Sequence, residues 1–248
     1  MSWSLPSRDA VIDGVLANNP MDRFRTPPRP KSQRPEVLEP AEAALLMSVM
    51  GDQDATLTRF LLATGARIGE ALALTWSDCD LDACVIAIRR TVYRIEGRWV
   101  ISEGGKTATS DRDVVIDEPT ANILRAHRQR QIEQRLKADT WTDKDLMFTS
   151  ETGDYFNAAM YSRRLKAAAR VVCIGPKRAY THGLRHCHAS WLLSASDNPD
   201  ITIVNLAARL GHASAVTTLG TYAHAMRGRQ TGLASVATEL LDVETSAG

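Results

Sequence analysis

Near its C-terminal end the chain carries Thr181-His182-Gly183-Leu184-Arg185-His186, then Leu210-Gly211-His212, then Thr221-Tyr222-Ala223-His224. Far upstream, Arg67 stands in Thr64-Gly65-Ala66-Arg67-Ile68-Gly69-Glu70. Two arginines, two histidines and a tyrosine suit attack of a phenol on a phosphodiester. Arginine grips phosphate oxygens with a fork of donors. Histidine gives or takes a proton near neutral pH. Tyrosine can form a covalent intermediate.

Each residue also has an ordinary reading. His182 and Arg185, three apart, share one helix face, where a helix start attracts anions; a capped, satisfied histidine has the same spacing. Gly211-His212 reads as a close turn that starts another helix with a donor aimed outward. Glu70 can hold Arg67, yet surface ion pairs of this kind are worth little. Lys106, in a glycine-containing turn between strands, could reach a leaving oxygen or simply be solvated. Tyr222 has small, polar neighbours in sequence, unlike a core tyrosine, although a lone tyrosine usually packs.

The elements that must position these groups follow from hydrophobic period. Leu45, Leu46, Val49 and Met50 recur at helical spacing, as do Leu57, Phe60, Leu61 and Leu62 up to Gly65, and a short helix holds Ala71, Leu72 and Leu74. The period then changes. Cys84 to Tyr93 predicts one strand, Trp99 to Ile101 a second after the Glu96-Gly97 turn, and Asp113 to Ile116 a third. Helices return from Pro119 to about Ala138 and over Asn157–Val172, Leu184–Ser194, Ile201–Leu210, Ala215 to about Leu219, and Gly232–Leu241. The expected fold is mainly α with a small three-stranded antiparallel sheet. Ahead of it, Arg8 to Ala17 has a short helical pattern that stops at Asn18-Asn19-Pro20. Thr26 to Pro35 is a proline-rich, basic linker.

Length and composition agree with this. The 248 residues, 44% of them hydrophobic, can bury a real core, and no apolar run approaches membrane-spanning length. The N-terminus lacks the pattern of a secretion signal. The four cysteines match no zinc spacing and read as reduced thiols of a cytoplasmic protein, with Cys187 a packing thiol. Net charge is only +1, but it is unevenly spread. No acid lies between Asp154 and Asp197, a window that holds Arg163, Arg164, Lys166, Arg170, Lys177, Arg178 and Arg185. Ile201 to Thr238 is acid-free as well. One basic side would hold a polyanion; a solvated basic helix face would look the same. Arg163, Arg164, Lys177 and Arg178 are the candidate DNA contacts there, and Arg29, Lys31 and Arg34 in the linker could lie along phosphates.

Taken together and in order, these elements resemble the tyrosine recombinase (phage integrase) family from about Glu39 to His224. The matching elements are R-x-x-E at Arg67 and Glu70, the sheet lysine at Lys106, H-x-L-R-H from His182 to His186, L-G-H from Leu210 to His212, and T-T-x-x-x-Y-x-H from Thr217 to His224. The resemblance implies a site-specific recombinase or integrase of a phage or mobile element. Tyr222 would attack a scissile phosphate and form a 3′-phosphotyrosyl link. Arg67 and Arg185 would hold the non-bridging oxygens, with His212 donating to one of them. Lys106 would protonate the leaving 5′ oxygen, and His182 would assist proton removal from Tyr222. It implies no metal and no nucleotide cofactor, in keeping with the lack of a phosphate-binding glycine loop or a metal-type carboxylate cluster. The implied partners are double-stranded DNA attachment sites, with the chain a monomer when free and a tetramer on DNA, and no membrane. A nicking-closing enzyme of the type IB topoisomerase kind and a DNA-binding relative that no longer cuts are the alternatives.

Two departures stand out. The family carries a helical core-binding domain before the catalytic one, and here only Arg8 to Asn19 fits the end of its last helix. Residues 1–35 are therefore expected to be a remnant plus linker, 36–226 the catalytic domain and 227–248 a C-terminal helical tail. The loop around Ser196-Asp197-Asn198-Pro199-Asp200 is also longer than usual. In the tail, Leu233, Val236, Leu240 and Leu241 form an apolar stripe. It packs on its own core or, as in relatives, on a neighbouring protomer; the second reading is preferred.

Overall fold

The computed structural model describes residues 11–18, 36–103, 111–175, 178–194, 202–212 and 214–222. The chain divides into two compact units, Met1–Arg34 and Pro35–Gly248. Of the first, the described part is residues 11–18: helix at Val11 and Ile12 runs into a turn in which the Gly14 N–H donates to the Val11 carbonyl at 3.2 Å. The helical pattern expected through Ala17 ends there, because Gly14 takes a positive φ of 71°. Lys106, Lys177, Arg29, Lys31, Arg34, most of the loop around Asp197, the Gly232–Leu241 helix and the whole tail lie outside the described residues.

The second unit is built on helices. In chain order they are α1 (Pro40–Ser48), α2 (Asp52–Thr64), α3 (Ile68–Ala71), α4 (Glu118–Lys137), α5 (Ala158–Val171), α6 (Thr181–Ser194), α7 (Ile203–Leu210) and α8 (Ala215–Tyr222). α2 forms the centre of the core: Leu57, Phe60 and Leu61 are fully buried, and α1, α4, α5 and α6 pack around it. Side-chain caps mark where these helices begin. Asp117 accepts from the Thr120 N–H at the start of α4, Asn157 from Ala159 and Met160 at α5, and Thr202 from Asn205 at α7. Among the described residues no helix is long and apolar enough to cross a membrane.

The fold is mainly helical with antiparallel sheet, as expected, but the sheet is organised differently. The described strands are β1 (Cys79–Asp80), β2 (Val85–Ile88), β3 (Arg90–Ile95), β4 (Arg98–Glu103) and β5 (Arg112–Val115). They form a three-stranded sheet, β1-β2-β5, and a separate hairpin, β3-β4. The single strand expected over Cys84–Tyr93 is thus split at Arg89. β2 pairs with β5 (Ile86 opposite Val114, Ile88 opposite Arg112), whereas β3 pairs with β4. A change of pairing partner leaves the period-2 pattern unbroken, so hydropathy does not reveal it.

The chain entering this unit is stitched to α6. Trp191 Nε1 donates to the Leu38 carbonyl at 2.8 Å, and the Leu38 N–H donates to Cys187 Sγ at 3.2 Å. Arg178 donates to the Val37 carbonyl at 2.8 Å and pairs with Glu42. Cys187 is fully buried and its thiol is pushed up to about 11 by burial, so it is a packing group.

Candidate active site

The end of α2 is where the site begins. The last carbonyls of a helix lack intrahelical partners and carry the negative end of its dipole. Gly65, in the left-handed region at φ 65°, ends α2 with its N–H on the Leu61 carbonyl. Three other carbonyls here are met by side chains from distant helices. His188 Nδ1 meets the Leu62 carbonyl at 2.8 Å and Arg209 Nη2 the Ala63 carbonyl at 2.9 Å. Arg185 Nη1 meets the Gly65 carbonyl at 2.6 Å. The other arm of Arg185, Nη2, donates to the Leu210 carbonyl at 2.5 Å, at the end of α7. One guanidinium thereby joins the ends of two helices. Arg185 is 2% exposed, and burial together with the charge of Arg67 lowers it to about 10, so it stays cationic at neutral pH.

Arg67 directly follows this helix end. Glu70 holds it by both oxygens: Oε2 accepts from the Arg67 N–H at 2.8 Å and Oε1 from Nη1 at 2.7 Å. Glu70 also accepts from Arg112 Nη2 at 2.8 Å, and Arg112 Nε donates to the Arg209 carbonyl at 2.7 Å. The Glu70 and Arg112 side chains are buried, while 43% of the Arg67 side chain is exposed. Burial works to raise the Glu70 carboxyl, but the two arginines and their hydrogen bonds outweigh it and hold the group below its usual range. Arg67 is thus fixed at its base and open at its face, which is more than an ordinary surface pair offers.

His212 is reached by a different route from the one expected. Gly211 closes α7 in the left-handed region at φ 66°, so His212 stands past the end of a helix, not at the start of one. Its Nδ1 lies 2.7 Å from Thr218 Oγ1 on α8. Burial and the charges of Arg185 and Arg67 push its imidazole down to about 4. The same causes lower His182. Both imidazoles are therefore neutral at pH 7, and among the described residues the pocket's positive charge rests on arginines.

Tyr222 is the last residue of α8 and is 2% exposed. Its polar neighbours in sequence are misleading: in space it belongs to an apolar cluster with Ala189, Leu193, Leu206 and Leu210. Its hydroxyl lies 2.7 Å from His186 Nδ1. Burial pushes the phenol up to about 12 against the pull of Arg185. His182, expected to assist removal of this proton, packs edge-on against His186, with ring centroids 4.7 Å apart.

The structure therefore brings Arg67, Glu70, His182, Arg185, His212 and Tyr222 into one neighbourhood, from four separate segments. Of the basic candidates, Arg163 and Arg164 stand exposed on α5, where Arg164 approaches Asp54 at 3.4 Å. Arg178 is committed to Glu42 and the Val37 carbonyl. Sequence reasoning gave no role to Arg112, His186 or His188. His186 lay inside the quoted motif, four residues after His182 and so on the same helix face. Arg112 and His188 had no local signal.

The sequence pattern of the Phage integrase family matches residues 36–229. The integrase of Staphylococcus phage L54a is 32% identical over 163 residues, covering 65% of this chain and 45% of that protein. The ICEBs1 integrase of Bacillus subtilis is 26% identical over 235 residues, covering 94% of this chain and 62% of that protein. The chain thus spans between about half and three-fifths of these relatives' length. Among solved structures, the Tn1549 transposon integrase in complex with circular intermediate DNA superposes with a TM-score of 0.75 at 23% identity, covering 96% of this chain and 76% of that one. XerA recombinase superposes with a TM-score of 0.57 at 25% identity, covering 86% and 66%. With its motifs in order, its fold shared and its family pattern matched over most of its length, the chain belongs to the phage integrase family.

Proposed function

We propose that this chain carries the catalytic domain of a site-specific DNA recombinase that cleaves and rejoins strands through a 3′-phosphotyrosyl intermediate. The observation that supports it is the convergence of Tyr222, Arg185, Arg67, His182 and His212. In this reading Tyr222 is the nucleophile. Arg67 and Arg185 clamp the non-bridging oxygens, His212 donates to one of them, and His182 borders the same site. Two N–H groups of Arg185 serve the helix ends, and in this reading phosphate takes up others of its five. This fixed pair of cations stabilises charge that develops in the transition state. Lys106 is the proposed general acid for the leaving 5′ oxygen.

Double-stranded DNA is the proposed substrate and partner, in keeping with DNA-bound Tn1549 and XerH recombinases among the structural neighbours. Arg163, Arg164, Lys177, Arg178, Arg29, Lys31 and Arg34 are proposed phosphate contacts, Arg178 only once released from Glu42. Assembly as a tetramer on DNA, with residues 227–248 docking on a neighbour, and action in the cytoplasm of a bacterial host complete the proposal.

A nicked duplex with a randomised centre tests it. Cleavage beside the nick releases a short fragment and traps the enzyme, so a covalent protein–DNA adduct survives denaturation. Wild-type chain forms that adduct and Tyr222→Phe does not. An adduct formed equally by Tyr222→Phe, or by neither protein, overturns the reading.

A further inference from the structure

Attack by Tyr222 raises a question that the two arginines do not answer: where the phenolic proton goes. A phenol pushed up to about 12 is neutral at pH 7, so its proton must leave as the oxygen bonds to phosphorus. Bulk water is a poor acceptor here, because the tyrosine is 2% exposed and walled by Ala189, Leu193, Leu206 and Leu210. His212 directs its Nδ1 at Thr218. His182 touches the edge of the His186 ring. Among the described residues, the group within hydrogen-bond reach of the hydroxyl is His186, at 2.7 Å.

We propose that His186 is the proton acceptor for the Tyr222 nucleophile, taking the phenolic proton on Nδ1 during cleavage and returning it during religation. The proposal deepens the recombinase reading and rests on it. The step balances. The Tyr222 Oη–P bond forms and the P–O5′ bond breaks. The phenolic proton passes to His186 Nδ1, and the departing O5′ takes a proton from the general acid. On religation the 5′ hydroxyl attacks phosphorus and returns that proton to the general acid, while Tyr222 leaves with the proton held by His186.

Geometry and chemistry both favour the assignment. A general base must stand within about 2.6–3.2 Å of the proton it removes. His186 and Tyr222 lie on different helices, α6 and α8, so tertiary packing, not local spacing, sets their distance. His186 is held neutral, at about 4, by burial and by the neighbouring His182 and Arg185, and a neutral imidazole can present a lone pair on Nδ1. A phosphate monoanion on Arg185 would offset one of those depressing charges just when a base is required. The phenol also grows more acidic as the O–P bond forms, so the imidazole never has to deprotonate a free tyrosine.

Two measurements test this on the full chain. The first needs no DNA: nitrogen NMR of His186 should report a neutral ring with the proton on Nε2. A proton on Nδ1 overturns the proposal. The second measures single-turnover adduct formation on the nicked, randomised duplex. His186→Asn keeps an acceptor near the position of Nδ1 but cannot carry a proton away. It should bind the duplex as wild type does and form adduct on the order of a hundredfold more slowly. Fluorotyrosine at position 222, with a more acidic phenol, should recover at least tenfold of that loss. Equal rates for wild type and His186→Asn overturn the proposal alone, and so does a loss that phenol acidity does not change. Absence of adduct even with wild type overturns the recombinase reading and this proposal with it.

Discussion

Arg185 and Gly65, 120 positions apart, meet at the end of α2, where the guanidinium donates to the Gly65 carbonyl at 2.6 Å. The same side chain also holds the Leu210 carbonyl. A residue proposed to grip phosphate is thus a bolt between two helices, and its removal has two separable consequences.

Arg185→Ala should lower stability by about 3 kcal/mol, because two buried carbonyls lose charged donors. Urea unfolding followed by circular dichroism measures this. Arg185→Lys should recover part of the loss, since an ammonium can reach one carbonyl but cannot fork to both. A midpoint for Arg185→Ala equal to wild type would mean that the bolt carries no load.

Two glycines allow a graded comparison. A Cβ on Gly65 would stand 2.5 Å from His188 Cδ2 and 2.8 Å from Leu210 Cδ2, both in buried side chains. A Cβ on Gly211 would meet the Arg112 side chain, its Nη1 at 2.8 Å. Both positions have positive φ, which costs a residue with a Cβ roughly 1 kcal/mol before any clash. Gly65→Ala should be the more damaging, because its Cβ meets two buried side chains, the nearer at 2.5 Å, whereas at Gly211 it meets one, at 2.8 Å. Arg112 is itself held by Glu70 and the Arg209 carbonyl, so Gly211→Ala should be costly as well. Thermal melts of the two variants decide it.

Low pH should weaken the protein through His188. Burial and the adjacent Arg209 push this imidazole down to about 3, and it is held neutral between the Leu62 carbonyl and Arg209. The folded value lies below the unfolded one, so folding favours the neutral ring. That stability is complete above about pH 6.5 and is lost as the pH falls toward the folded value. Between pH 7 and pH 4 the loss from this residue should be on the order of 3 kcal/mol. His188→Asn can still donate to the Leu62 carbonyl and does not titrate, so its stability should vary less with pH over that range. An identical pH dependence in the variant would refute the assignment.

Glu70 should dominate at still lower pH. Its carboxyl is depressed, so its contribution is present above about pH 4.3 and declines as the pH falls through the lower folded value. Glu70→Ala leaves Arg112 buried without its carboxylate and should cost about 3 kcal/mol at pH 7. It should also slow adduct formation by releasing Arg67. Chemical denaturation and the nicked-duplex assay read the two effects independently.

The family, the mainly helical fold and the order of the site residues were legible in the sequence, because each is carried by local signals. Helical period marks the core of α2, α5 and α6. Short motifs such as Arg67-x-x-Glu70 and His182-x-x-Arg185 place two groups on one turn. The tertiary structure decided everything that depends on residues far apart in the chain. It split the expected strand at Arg89, since a change of pairing partner leaves alternation intact. It put His212 after a helix, because only the φ of Gly211 distinguishes an end from a start. It placed Tyr222 among apolar side chains and against His186, a contact between helices that no spacing within either can encode. Local periodicity reports which face of an element is buried; what that face meets is set by packing.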